Sequence, residues 1–106
     1  MIDFTKENKT IICKPTFSVI ASNVLEMRNQ LIVQLEGDTS WEELVLDCEK
    51  VETIDSIGVN LIVGLYKKTH SEKKAFKLIN CNESLEKILK LFRLDAQFNM
   101  ESKDAE

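Results

Sequence analysis

"LVLDCEKVETIDSIGVNLIVGLYKKT", residues 44–69, decides how the rest of the chain is read. It opens with three consecutive apolar residues, Leu44, Val45 and Leu46, a pattern suited to a central strand buried on both faces. A short connection through Val51 and Ile54 reaches the pair Asp55-Ser56. From Ile57 to Thr69 the period becomes helical, with Ile62, Leu65, Tyr66 and Thr69 along one side. Val59, Leu61 and Val63 add apolar surface elsewhere, so this helix is expected to be heavily packed. Gly64 inside it costs about 1 kcal/mol relative to alanine. That cost points to close approach to a sheet or to a partner.

The flanking sequence repeats the alternation of strand and helix. "MIDFTKE" and "KTIICKP" surround a polar turn at Glu7-Asn8-Lys9 and read as a hairpin, with Pro15 ending its second strand. In "SNVLEMRNQLIVQLEG", Val24, Met27, Leu31 and Leu35 recur at helical spacing, and Leu25 and Ile32 widen the stripe. Ser22 is the expected N-cap and Gly37 the stop. "GDTSWEE" reads as a loop. Further on, "KKAFKLIN" alternates as a strand through Ala75, Phe76, Leu78 and Ile79. "NESLEKILKLFRLD" is the clearest helix: Asn82 caps it, Glu83 and Glu86 occupy its first turn, and Lys90 and Arg93 its last. Leu85, Ile88, Leu89 and Phe92 form its buried face. "AQFNM" is a last short strand, and "ESKDAE" a polar tail expected to fray.

The order β-β-α-β-α-β-α-β predicts an α/β fold: a mixed, mostly parallel sheet with helices packed on it and an antiparallel edge from the hairpin. One domain over residues 1–100 and a polar tail at 101–106 account for the chain. In sheets of this kind, function collects where strand carboxyl ends lead into helices. Residues 53–58, "TIDSIG", fall at such a junction.

Composition narrows the function classes. The 106 residues carry a net charge of −4, against a role in binding nucleic acid backbones. Cys13, Cys48 and Cys81 are odd in number and far apart, as expected of buried apolar residues in a reducing cytosol. His70, among Lys67, Lys68, Thr69 and Ser71, has no partner at a metal-ligand spacing and reads as a surface residue. The N-terminus lacks a signal-peptide core, and the longest apolar-rich run, Ile57–Tyr66, is about half a membrane span. A cytoplasmic protein without cofactor, metal or membrane segment is the expectation.

Ser56 admits three roles: nucleophile, helix cap and modification site. A nucleophile needs a base within reach, and His70 lies fourteen residues on, near the far end of the same helix and roughly 20 Å away at about 1.5 Å per residue. The G-x-S-x-G elbow and the glycine-rich phosphate loops are missing as well. Capping explains the hydroxyl but not its neighbours. Modification draws on all three residues. A helix N-terminus tolerates the charge of a phosphoserine, and Gly58 would leave room for a modifying enzyme. Asp55 could orient the hydroxyl or bind the metal of such an enzyme.

The stretch from Leu44 to Met100 resembles the STAS domain, specifically the small stand-alone anti-sigma-factor antagonists. The likeness rests on an apolar strand ending in Asp47, the D-S-x-G of Asp55-Ser56-Ile57-Gly58, a helix with an internal glycine and "LYK", the next strand, and a leucine-rich helix. The resemblance implies that Ser56 is phosphorylated by a serine kinase that is often itself the anti-sigma factor. It implies that the unphosphorylated form binds this partner and that a PP2C-type phosphatase resets the switch. ATP and Mg²⁺ would belong to the kinase. Asp55, Ser56, Ile57, Gly58 and Val59 are then the expected partner-binding residues, on a monomer or at most a weak dimer. Where many members carry G-E-L-D after the second strand, this chain has Lys14-Pro15-Thr16-Phe17-Ser18. Ile57 replaces a residue that is often small or hydroxyl-bearing. A non-switching STAS scaffold in a larger assembly is the alternative.

Overall fold

The computed structural model describes residues 2–37, 40–91 and 99–102. Strands β1 (Ile2–Glu7) and β2 (Thr10–Pro15) form the expected antiparallel hairpin. Asn8 makes the turn at φ 56°, a left-handed backbone that asparagine adopts more readily than most residues. There follow α1 (Ala21–Gly37), β3 (Glu43–Asp47), α2 (Ser56–Ser71), β4 (Ala75–Cys81), α3 (Glu83–Leu91) and β5 (Asn99–Ser102). The five strands lie side by side in chain order, and every pair after the hairpin is parallel. The last strand takes in Asn99 and Met100 of "AQFNM" and also Glu101 and Ser102, the first two residues of the expected tail. Phe92 and Arg93, expected in the last helix, lie outside the described residues, as do residues 96–98.

Successive right-handed crossovers along a sheet ordered in this way place α1, α2 and α3 on one face. The core agrees. Leu31, Ile62, Leu85 and Leu89 from the helices join Cys13, Leu44, Leu46 and Leu78 from the sheet in one cluster. Leu44, Val45 and Leu46 are all buried, as a central strand requires. Val45 points to the opposite face, in register with Ile12 and Lys77. The three cysteines are buried and unpaired by disulfides.

Trp41, in the expected loop, is 1% exposed and anchors the end of α1. Its indole N–H donates to the Leu35 carbonyl at 3.1 Å, and the Lys74 ammonium sits 3.7 Å from its ring centroid. Asn82 caps α3 as expected, its Oδ1 accepting from the Leu85 N–H at 2.9 Å. Its amide also donates to the Val51 and Glu52 carbonyls, tying α3 to the segment that leads into α2.

Three expectations about helices are corrected. Ser22 does not cap α1, because it is the second residue of the helix, inside the first turn. Leu25 and Ile32 do not widen the buried stripe; they are 69% and 42% exposed, while Met27, Leu31 and Leu35 carry the burial. Gly64 does not approach the sheet, since a Cβ built there meets nothing within 4 Å. With no contact to lose, Gly64→Ala should gain helix propensity, about 1 kcal/mol. That corresponds to an upward shift in Tm of about 4–8 °C, read by thermal denaturation.

Candidate functional site

The site grows from two loops that zip together. Val51 and Ile54 bury their side chains and so pin the segment between β3 and α2 to the core. Val19, from the segment between β2 and α1, is also buried and pairs with Ile54 in a parallel bridge. Its N–H donates to the Thr53 carbonyl at 3.1 Å, and its carbonyl accepts from the Asp55 N–H at 3.3 Å. Ser18 Oγ accepts from the Thr53 N–H at 3.3 Å. Part of the stretch that departs from G-E-L-D thus braces the site from within.

Asp55 ends this bridge in extended backbone, at φ −111° and ψ −177°. Its Oδ1 accepts from the Gly58 N–H at 2.8 Å, which caps α2. Its Oδ2 accepts from the Ala21 N–H at 2.8 Å, the first amide of α1. The residue before α1 is Ile20, whose carbonyl takes the first bonds of the helix but whose side chain has no acceptor. One carboxylate therefore serves the N-termini of two helices. Both oxygens are engaged by backbone amides, a structural duty beside the role of orienting the Ser56 hydroxyl that the sequence suggests. The Ala21 N–H, then the Gly58 N–H, hold the Asp55 carboxyl below the usual carboxylate range.

Ser56 is the first residue of α2 and exposed. It is not the cap, because Asp55 has both the extended backbone and the accepting side chain that a cap requires. Its hydroxyl stands at the helix N-terminus, where backbone amides and the dipole favour an anion. Ile57 is 45% exposed beside it. Two other expected partner-binding residues face inward. Val59 is 2% exposed and belongs to the core. Gly58 is buried, and a Cβ there would lie 1.9 Å from the Val19 carbonyl oxygen and 2.8 Å from Ile54 Cγ1. Its missing side chain makes room for the chain's own loop, not for another enzyme.

His70 is at the opposite end of α2, exposed and stacked on Tyr66 at 5.8 Å between ring centroids. Burial pushes the Cys13 thiol up to about 12. The hydrogen bond with Cys81, followed by burial, raises Cys48 as well. Neither is a thiolate near neutral pH. Among the described residues, no group of three or more His, Cys, Asp or Glu is placed to hold a metal ion. No described helix is long and apolar enough to cross a membrane.

With this geometry in place, comparison with known proteins is direct. The family profile of the STAS domain matches residues 1–106. The chain belongs to the STAS domain family. A candidate anti-sigma factor antagonist from Thermotoga maritima matches this STAS domain with a TM-score of 0.88 at 22% identity, over 95% of this chain and 86% of that one. An anti-sigma factor antagonist from Mycobacterium paratuberculosis matches with a TM-score of 0.84 at 15% identity, over 95% and 84%. The phosphorylated form of the Bacillus cell fate determinant SpoIIAA matches with a TM-score of 0.72 at 15% identity, over 98% and 93%. Its unphosphorylated form gives the same score and identity, over 100% and 90%. At these identities the likeness is one of fold.

The contacts at Gly58 and Asp55 generate two predictions. Gly58→Ala should destabilise the STAS domain by at least about 2 kcal/mol, because backbone has to move to admit the methyl group; denaturant unfolding measures it. Asp55→Ala should lower Tm at about pH 7. Because the folded-state pKa of Asp55 is depressed, its contribution is complete above the unfolded value of about 3.9 and is lost as pH falls through the folded value. The Tm gap between wild type and variant should therefore narrow in melts taken towards about pH 2.

Proposed function

We propose that this STAS domain is a phosphorylation-controlled protein-binding switch in a bacterial partner-switching pathway. Its unphosphorylated form binds a cytoplasmic serine kinase that doubles as an anti-sigma factor. Phosphorylation of Ser56 releases that partner, and a PP2C-type phosphatase restores binding. The chain acts as a monomer, has no catalysis and no cofactor of its own, and leaves ATP and Mg²⁺ to the kinase.

The observation that carries this reading is the setting of Ser56. It is the one hydroxyl of the D-S-x-G stretch, it is exposed, and Asp55 has relieved it of any capping duty. Further support comes from SpoIIAA, which shares the fold and is known in phosphorylated and unphosphorylated forms. The release follows from electrostatics. A phosphate adds about −1.5 to −2 charges near neutral pH. It would stand one residue from the Asp55 carboxylate and beside the exposed Ile57. A partner seated flush on that surface would have to strip water from the new charge, at a cost of several kcal/mol unless the charge is paired.

Intact mass after incubation with the kinase, ATP and Mg²⁺ should show one added phosphate on wild type and none on Ser56→Ala. In calorimetry against the same kinase, Ser56→Ala should bind like the unphosphorylated wild type, while Ser56→Asp should bind at least about tenfold more weakly, a loss of about 1.4 kcal/mol. Equal binding by the two variants would refute the switch.

A further inference from the structure

Helix α1 has more apolar surface than the core consumes. Part of the excess lines a groove between α1 and α2, a cavity of about 540 Å³. Both helices start at the shared Asp55 carboxylate and run side by side in the same direction, so the groove begins next to Ser56. Its α2 wall presents Ile57, Leu61 and Gly64, and its α1 wall Val24, Arg28 and Ile32. Ile32 and Ile57 are 42% and 45% exposed. Gly64 leaves a notch in the wall, because a Cβ there would meet nothing within 4 Å.

We propose that this groove seats one amphipathic helix, about three turns long, of the same kinase partner whose release Ser56 controls. The proposal rests on the switch reading of Ser56 and extends the docking surface away from it. Three features select a helix. Ile57 to Lys68 covers twelve residues of α2, eleven rises of about 1.5 Å and so about 16 Å of wall, the length of three helical turns. The walls are apolar, and their polar groups, Arg28, Glu36, Asn60 and Lys68, belong to the exposed or half-buried rim. A small-molecule pocket would carry polar groups converging inside it, whereas an apolar trough suits anchors at i, i+3 or i+4, and i+7. The notch at Gly64 lets a helix backbone come close. Charge fixes the polarity: Arg28 lies on the half of α1 nearer Ser56, while Lys68 at the far end is paired with Glu72 at 2.9 Å. An acidic residue on the docked helix would meet Arg28, and a phosphate on Ser56 would repel that same residue. One groove thus supplies both affinity and sensitivity to phosphorylation.

The test is calorimetric titration of each purified serine-kinase anti-sigma factor of the source organism into wild type, Gly64→Phe, Arg28→Glu and Val33→Glu. Val33 is 69% exposed on α1 and absent from the groove lining, so it serves as the control. Circular dichroism and Tm confirm the fold of each variant. Gly64→Phe and Arg28→Glu should each weaken binding about tenfold or more, with Val33→Glu within about twofold of wild type. Wild-type affinity in Gly64→Phe, or an equal loss in Val33→Glu, overturns the groove and leaves the Ser56 switch standing. Groove-dependent binding of a kinase that adds no phosphate overturns the switch and leaves the groove standing. Failure of wild type to bind any of the kinases overturns both.

Discussion

A single carboxylate joins the two helices around which this protein is organised. Asp55 accepts the first amide of α1 with one oxygen and caps α2 with the other, each at 2.8 Å. A helix N-terminus leaves amides without intrahelical partners, and α1 begins after an isoleucine that cannot satisfy them. The bond from Asp55 solves that local problem with a residue 34 positions away. It also sets the start of α1 against the start of α2, and so defines where their shared groove opens.

The second constraint is the closeness of backbone to backbone. Val19 pairs with the segment before α2, and its carbonyl oxygen occupies the space that a side chain at position 58 would need. Gly58 is thus a packing residue within a functional motif. D-S-x-G contains two residues that build the turn, Asp55 and Gly58, and two that the turn displays, Ser56 and Ile57. The division explains how an exposed hydroxyl can stand between two buried segments: Ile54 and Val59 hold the turn from either side while its tip faces solvent.

Much of the fold was legible in the sequence. The helical period, the alternation in "KKAFKLIN", the unbroken apolar run Leu44 to Leu46 and the polar turn at Glu7-Asn8-Lys9 placed the strands and helices in their correct order, because local burial is written directly into such patterns. Asn82 was readable as a cap because it bonds an amide three residues on. The cap of α1 was not readable, because it comes from Asp55 in another loop. Nor was the division of labour on α1. Periodicity gives the width of an apolar stripe but not how much of it neighbours cover, so Leu25 and Ile32 looked like core until α2 and the sheet were in position.

The sequence by itself determined the α/β order, the burial of Leu44 to Leu46 and the D-S-x-G turn with Ser56 at its tip. Each depends on residues close together in the chain. Only the tertiary structure decided that Asp55 clasps two helices, that Gly58 gives way to Val19 rather than to an incoming enzyme, that Val59 is core, and that Ile57 opens onto a groove. Those facts are contacts between segments far apart in sequence, and they exist only once the crossovers have brought the loops together at one end of the sheet.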